Sequence, residues 1–198
     1  KEAEALALQA KQLDPDDPNR MYVAISAAGT FRTEDGGESW EPANSGVAAD
    51  FFPDNPFPEV GQCVHKLLVH PARPDRLWQQ NHCGVYRSDD HGRKWERLEG
   101  NGLPSGFGFP IMLDPSDPDT ALVIPEEGAE NRVTPDSRLG VYRTRDGGQS
   151  WELLEGGLPE PAWVAVLRES SSFDDGGLYF GTQSGSVFAS SDGGDSWV

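Results

Sequence analysis

Phe31-Arg-Thr-Glu-Asp-Gly-Gly-Glu-Ser-Trp40 decides the fold, because the chain repeats it. Tyr86-Arg-Ser-Asp-Asp-His-Gly-Arg-Lys-Trp95, Tyr142-Arg-Thr-Arg-Asp-Gly-Gly-Gln-Ser-Trp151 and Phe188-Ala-Ser-Ser-Asp-Gly-Gly-Asp-Ser-Trp197 share one pattern, aromatic-x-Ser/Thr-x-Asp-x-Gly-x-x-Trp. Their tryptophans stand 55, 56 and 46 residues apart. A second element recurs upstream, as Leu13-Asp-Pro-Asp-Asp-Pro-Asn-Arg-Met-Tyr22, Val69-His-Pro-Ala-Arg-Pro-Asp-Arg-Leu-Trp78 and Leu113-Asp-Pro-Ser-Asp-Pro-Asp-Thr-Ala-Leu122. Leu178-Tyr-Phe180 supplies the strand that follows a degenerate fourth copy. Two elements recurring in one order at this period mark a solenoid, a propeller or an array of units.

Between the boxes lie short apolar or alternating runs bounded by Pro, Gly and Asp: Met21–Ile25, Val64–Val69, Leu77–Gln80, Phe109–Leu113, Ala121–Ile124, Trp163–Leu167 and Leu178–Gly181. Runs of this length and punctuation read as strands. Each unit then has four: an inner strand, the Asp-Pro turn, a second strand, the aromatic-Arg strand, and a fourth that the Trp begins. Four-stranded antiparallel sheets repeated about an axis are propeller blades. The expectation is an all-β, single-domain β-propeller over residues 1–198, with about four blades in units near 5–47, 60–100, 106–156 and 161–198. Residues 1–12 conflict with this locally, since they are strong helix formers where an inner strand is due.

The box itself is a hairpin device. Its hydroxyl and Asp carboxylate accept backbone N–H groups across the turn, the Gly permits positive φ, and the Trp fills the gap beneath. Asp35, Trp40, Asp90, Trp95, Asp146, Trp151, Asp192 and Trp197 are therefore read as structural.

These boxes resemble the Asp-box, or BNR, repeat of the sialidase-like propellers. The Asp-Pro turns are similar to those of bacterial WD40/YVTN/BNR-like proteins loosely labelled glycosyl hydrolases. The resemblance covers Leu6 to Trp197 and implies the fold. It implies no single activity, because the box occurs in sialidases, xyloglucan-acting hydrolases, sortilin-type receptors and a photosystem assembly factor. Six or seven blades are usual in the family, so a partial propeller is expected here. The Arg-Ile-Pro motif of sialidases is absent, and Arg20, Arg32, Arg76, Arg87 and Arg143 all fall at repeat positions. Lys94 and His91 depart from the box pattern, which predicts a looser second turn.

With 16 basic against 33 acidic residues the chain carries −17, the wrong sign for a nucleic-acid backbone or an anionic membrane surface. A hydrophobic content of 36 % sets it apart from a disordered acidic tail. No apolar run reaches transmembrane length, and the N-terminus lacks the apolar core of a signal peptide. Localisation stays open between bacterial cytoplasm and secretion.

All four histidines and both cysteines lie between residues 63 and 91. Cys63 and His65 share a strand face, and the hairpin through Pro71–Pro74 brings His82 and Cys83 back toward them. Counted from the Asp-Pro turn, Ala7 and Gln9 hold the places of Cys63 and His65, so the cluster embellishes one blade. Cys63, His65, His82 and Cys83 suit zinc by ligand type. Their spacing does not, and residues 82 and 83 face opposite ways. The expectation is therefore no metal and no cofactor, with Cys63, His65 and His82 the residues any metal would use. A Cys63–Cys83 disulfide and a plain set of buried thiols with hydrogen-bonded histidines are the other readings.

Two long connections complete the picture. Asn44–Glu59 carries Phe51, Phe52, Asp54 and Phe57, while Glu126–Ser137 enlarges a hairpin of unit three that Asn81–Gly84 closes tightly in unit two. Glu126, Glu127 and Glu130 could supply the paired carboxylates of glycoside cleavage, and the phenylalanines could stack on a sugar. The leading expectation is a scaffold whose top face binds a glycan, small molecule or protein near His65, Asn81, His82 and Glu126. The alternative is a glycoside hydrolase, with Glu126 and Glu127 as catalytic candidates, or a metal-dependent hydrolase built on the histidine cluster.

Overall fold

In the computed structural model, which describes residues 11–198, each repeat forms its own antiparallel sheet. The first contains β1 (Lys11–Leu13), β2 (Met21–Ile25), β3 (Gly29–Thr33) and β4 (Glu41–Pro42). The second contains β5 (Val64–His70), β6 (Arg73–Asn81), β7 (Gly84–Ser88) and β8 (Glu96–Arg97). The third contains β9 (Gly108–Leu113), β10 (Ala121–Pro125), β11 (Val141–Thr144) and β12 (Glu152–Leu154). The fourth contains β13 (Ser171–Asp174), β14 (Gly177–Gly181) and β15 (Val187–Ser190), with Val198 exchanging two backbone hydrogen bonds with Ala189 at its outer edge. Strand order within each sheet follows the chain, and β1, β5, β9 and β13 neighbour one another in turn, as inner strands around an axis do. The helix-prone stretch before residue 11, with Ala7 and Gln9, lies outside the described residues. Among those described, no helix is long and apolar enough to cross a membrane.

Two strand expectations are corrected. Trp163–Leu167 is not a strand; the inner strand of the fourth blade is Ser171–Asp174. Here the Asp-Pro turn is replaced by the tight Asp174-Asp175-Gly176-Gly177 turn, which pairs Phe173 with Leu178 and so sets the register eight residues further along the chain. Nor does the Trp begin the fourth strand: β4, β8 and β12 each start one residue after it.

The core lies between blades. Tyr22, Val47, Leu77, Tyr86 and Trp95 join the first two; Trp78, Val85, Leu98, Ile111, Val123 and Trp151 join the next pair; Leu122, Ile124, Val141, Leu154, Phe180 and Trp197 join the last. A latch accompanies each cluster. Trp95, Trp151 and Trp197 donate their backbone N–H to Ser45, Asn101 and Gly156 of the preceding unit, at 2.9, 2.9 and 2.7 Å. Beside these acceptors Gly46, Gly102 and Gly157 hold φ of +91°, +105° and +87°, and a Cβ there would stand 2.4, 2.2 and 2.2 Å from the tryptophan carbonyl oxygen. Only glycine fits. No such latch reaches Trp40 among the described residues, and that side chain is 37 % exposed against 6 % for Trp151.

The boxes work as read. In the first, Gly37 N–H donates to Thr33 Oγ1 at 3.0 Å, while Asp35 accepts Thr33 Oγ1 at 2.6 Å, Ser39 N–H at 2.9 Å and Ser39 Oγ at 2.5 Å. The Ser39 hydroxyl, then its amide and Thr33, hold the Asp35 carboxyl well below the usual range. The second turn is not looser: His91 adopts φ +59°, and Asp90 still accepts Ser88 Oγ at 2.8 Å and Lys94 N–H at 2.9 Å. What Lys94 lacks is the hydroxyl that Ser39, Ser150 and Ser196 give. The repeat arginines pair as their positions imply, Arg32 with Glu41, Arg87 with Glu96 and Arg143 with Glu152.

Candidate functional site

The inner end of the second blade is irregular where the sequence is. Val64 pairs with Asn81 and Lys66 with Gln80, so His65 is the extra residue of a β-bulge, and His82 N–H donates to Cys63 O at 2.9 Å. A bulge re-aims its side chain. Here it brings one ligand atom each of Cys63, His65 and His82 to within 4.8 Å of one another.

His65 is held from several sides. Its Nδ1 lies 2.6 Å from Gly108 O, and since a carbonyl only accepts, the proton is assigned to Nδ1 and the lone pair to Nε2. The ring stacks on Phe109 at 4.4 Å and meets Phe107 and His82 edge-on at 5.5 and 5.7 Å. Burial pushes its pKa down to about 4, with Arg168, His82 and Arg132 adding to the effect and the Gly108 carbonyl opposing it. His82 is half-buried between Phe51, at 5.6 Å, and Phe107, at 5.2 Å; burial and then Arg132 lower its pKa. The guanidiniums of Arg132 and Arg168 lie 5.4 and 5.5 Å from the Phe109 ring centre.

The remaining candidates are placed differently. Cys83 points away, accepting Asp50 N–H at 3.3 Å, and both thiols are free, which removes the disulfide reading. The cause is the alternation of residues 82 and 83 across the strand end. Asn81 is fully buried, with Oδ1 accepting Cys83 N–H at 3.1 Å. His70 stands where the other units have Asp: its Nδ1 accepts Ala72 N–H at 3.1 Å and its Nε2 lies 2.8 Å from Asp114 O.

Glu126 follows β10, its N–H donating to Phe107 O at 2.9 Å. The residue is 1 % exposed and neither carboxylate oxygen has a hydrogen-bond partner. Burial pushes its pKa up to about 7; Arg132 and then the Val166 amide act the other way. Glu127 is exposed and accepts from Asn131 Nδ2 instead. Buried Glu126 and solvent-facing Glu127 share no environment.

Two depressions flank the cluster. A groove of about 300 Å³ runs along the inner strands, lined by Gln12, Ser26, His65, Lys66, Arg168 and Glu169. A shallower one of about 370 Å³ is lined by Asp50, Phe51, His82, Arg97, Glu99 and Phe107. Phe51, Phe52 and Phe57 are 44 %, 44 % and 61 % exposed. Phe107 and Phe109 are not among the site residues read from the sequence, although counting back from the third Asp-Pro turn gives them the repeat positions of Cys63 and His65. Arg132 and Arg168 left no periodic signal, because both lie in irregular connections.

No protein-family model matches the chain. It is 28 % identical over 160 residues to the oligoxyloglucan-reducing end-specific xyloglucanase of Emericella nidulans, an alignment covering 76 % of this chain and 18 % of that protein. The chain thus spans about a fifth of the curated relatives it matches. The GH74 xyloglucanase from Xanthomonas campestris superposes with a TM-score of 0.66 at 17 % identity, over 96 % of this chain and 29 % of that one. A structure of YCF48 bound to D1 peptide gives 0.50 at 16 % identity, over 95 % and 66 %. Fourfold boxes, sequential four-stranded sheets and these likenesses together make the chain a BNR/Asp-box-type β-propeller related to the xyloglucanases.

Proposed function

We propose that this propeller binds a neutral glycan of the xyloglucan class, on the face where Phe51, from the connection between the first and second blades, lies beside His82 of the second and Phe107 at the start of the third. The observation that carries this reading is Phe51, nearly half exposed and set edge-on to His82. An aromatic ring so placed stacks on the C–H face of a sugar, and the neighbouring imidazole and guanidinium groups bond its hydroxyls. A neutral ligand also suits a chain of charge −17, which repels acidic partners at range. The curated relative, a xyloglucanase by name, supports the glycan over the peptide that the YCF48 structure holds.

Calorimetric titration with xyloglucan oligosaccharides tests it. Phe51→Ala should weaken binding roughly tenfold, the equivalent of about 1.4 kcal/mol of stacking. Absence of binding by the wild type at about 1 mM, or equal affinity in Phe51→Ala, overturns it.

A further inference from the structure

We propose that Cys63, His65 and His82 form a binding site for a zinc-class divalent ion, with three protein ligands and one position left open. Three features carry this. The ligand atoms already lie within 4.8 Å of one another, whereas tetrahedral zinc with bonds of about 2.0–2.3 Å needs them roughly 3.3–3.6 Å apart. The closure is at most about 1.2–1.5 Å, and the two half-buried members supply it: Cys63 precedes β5 and His82 sits in the β6–β7 turn, where side-chain rotation disturbs no strand pairing.

The second feature is the Gly108 carbonyl, 2.6 Å from His65 Nδ1. Metal-bound imidazoles commonly give their other N–H to such an acceptor, which fixes the ring and leaves Nε2 as donor to the ion. The third is the bulge. The same irregularity recurs in the third blade, between Gly108 and Ile111, where it carries Phe109; in the second blade it aims His65 at Cys63 and His82. One thiolate and two imidazoles are a borderline-soft set that suits zinc or cobalt and not magnesium or calcium. Arg132 and Arg168 oppose a dication, and the thiolate formed on binding offsets one of its charges. Binding releases the thiol proton to solvent.

The test is titration of the full chain, stripped of metal, with Co²⁺ and then Zn²⁺. The wild type should develop a thiolate-to-cobalt charge-transfer band, which one equivalent of Zn²⁺ abolishes. Cys63→Ser should lose the band, and both Cys63→Ser and His82→Ala should weaken Zn²⁺ binding more than about 100-fold, a ligand counting for more than its outer partner. Cys83→Ser, whose sulfur faces away, should keep both properties. Circular dichroism identifies any variant that fails to fold, and the half-buried positions of Cys63 and His82 make them the informative pair. A folded wild type without the band, or a band that survives Cys63→Ser, overturns the assignment.

Discussion

Replacing Glu126 with Gln should change how stability depends on pH, because Gln reproduces the protonated acid and cannot ionise. In the unfolded chain Glu126 loses its proton near the ordinary 4.5; in the folded chain burial holds the proton to about 7. Its contribution is therefore fully present below 4.5, declines as pH rises from 4.5 to 7, and is flat above. At 1.36 kcal/mol per pH unit the full loss is about 3 kcal/mol. His65 titrates in the opposite sense over nearly the same range, its neutral-state stability vanishing as pH falls from 6.5 to about 4. That term is common to both proteins and cancels in their difference. Thermal unfolding of wild type and Glu126→Gln at intervals from pH 4.5 to 7.5 should show the variant gaining about 6–12 °C relative to wild type across the window, at about 2–4 °C per kcal/mol. A difference that stays constant with pH would refute the buried, protonated carboxyl.

The repeat makes its own predictions. Trp151→Ala, at a buried position, should cost about 3–5 kcal/mol, whereas Trp40→Ala should cost less than about 2; equal losses in denaturant titrations would contradict the difference in indole burial. Lys94→Ser should supply the second box with the missing hydroxyl bond to Asp90 and stabilise by about 0.5–1 kcal/mol, read as a small rise in melting temperature; an unchanged or lower value counts against the box geometry.

The fold was legible because its signals are local and repeated. Asp35, Asp146 and Asp192 each accept from a hydroxyl two residues before and from a serine four residues after, contacts that sequence spacing alone dictates. The fourth inner strand was misplaced since Trp163–Leu167 has strand composition, while its position is decided by the Asp-Gly turn beyond it. Within the site, Cys63, His65 and His82 were legible as a group through period-two alternation across one hairpin. The bulge that makes them converge has no composition of its own. Phe107, Phe109, Arg132 and Arg168 reach the same corner from another blade or from irregular chain, at separations where spacing carries no information. Glu126 and Glu127 look interchangeable in sequence; only burial tells them apart.

Each seam between blades is closed by a carbonyl resting where a methyl group would collide, on Gly46, Gly102 or Gly157. Such a joint is all-or-none: neighbouring sheets cannot slide or part gradually without first giving up both the amide bond and the seated indole. Any ligand straddling the second and third sheets would thus find its two halves of the cleft prealigned, with no reorganisation needed on arrival. One added carbon at Gly102 would loosen that alignment from some distance, lowering affinity without touching a single group that meets the ligand.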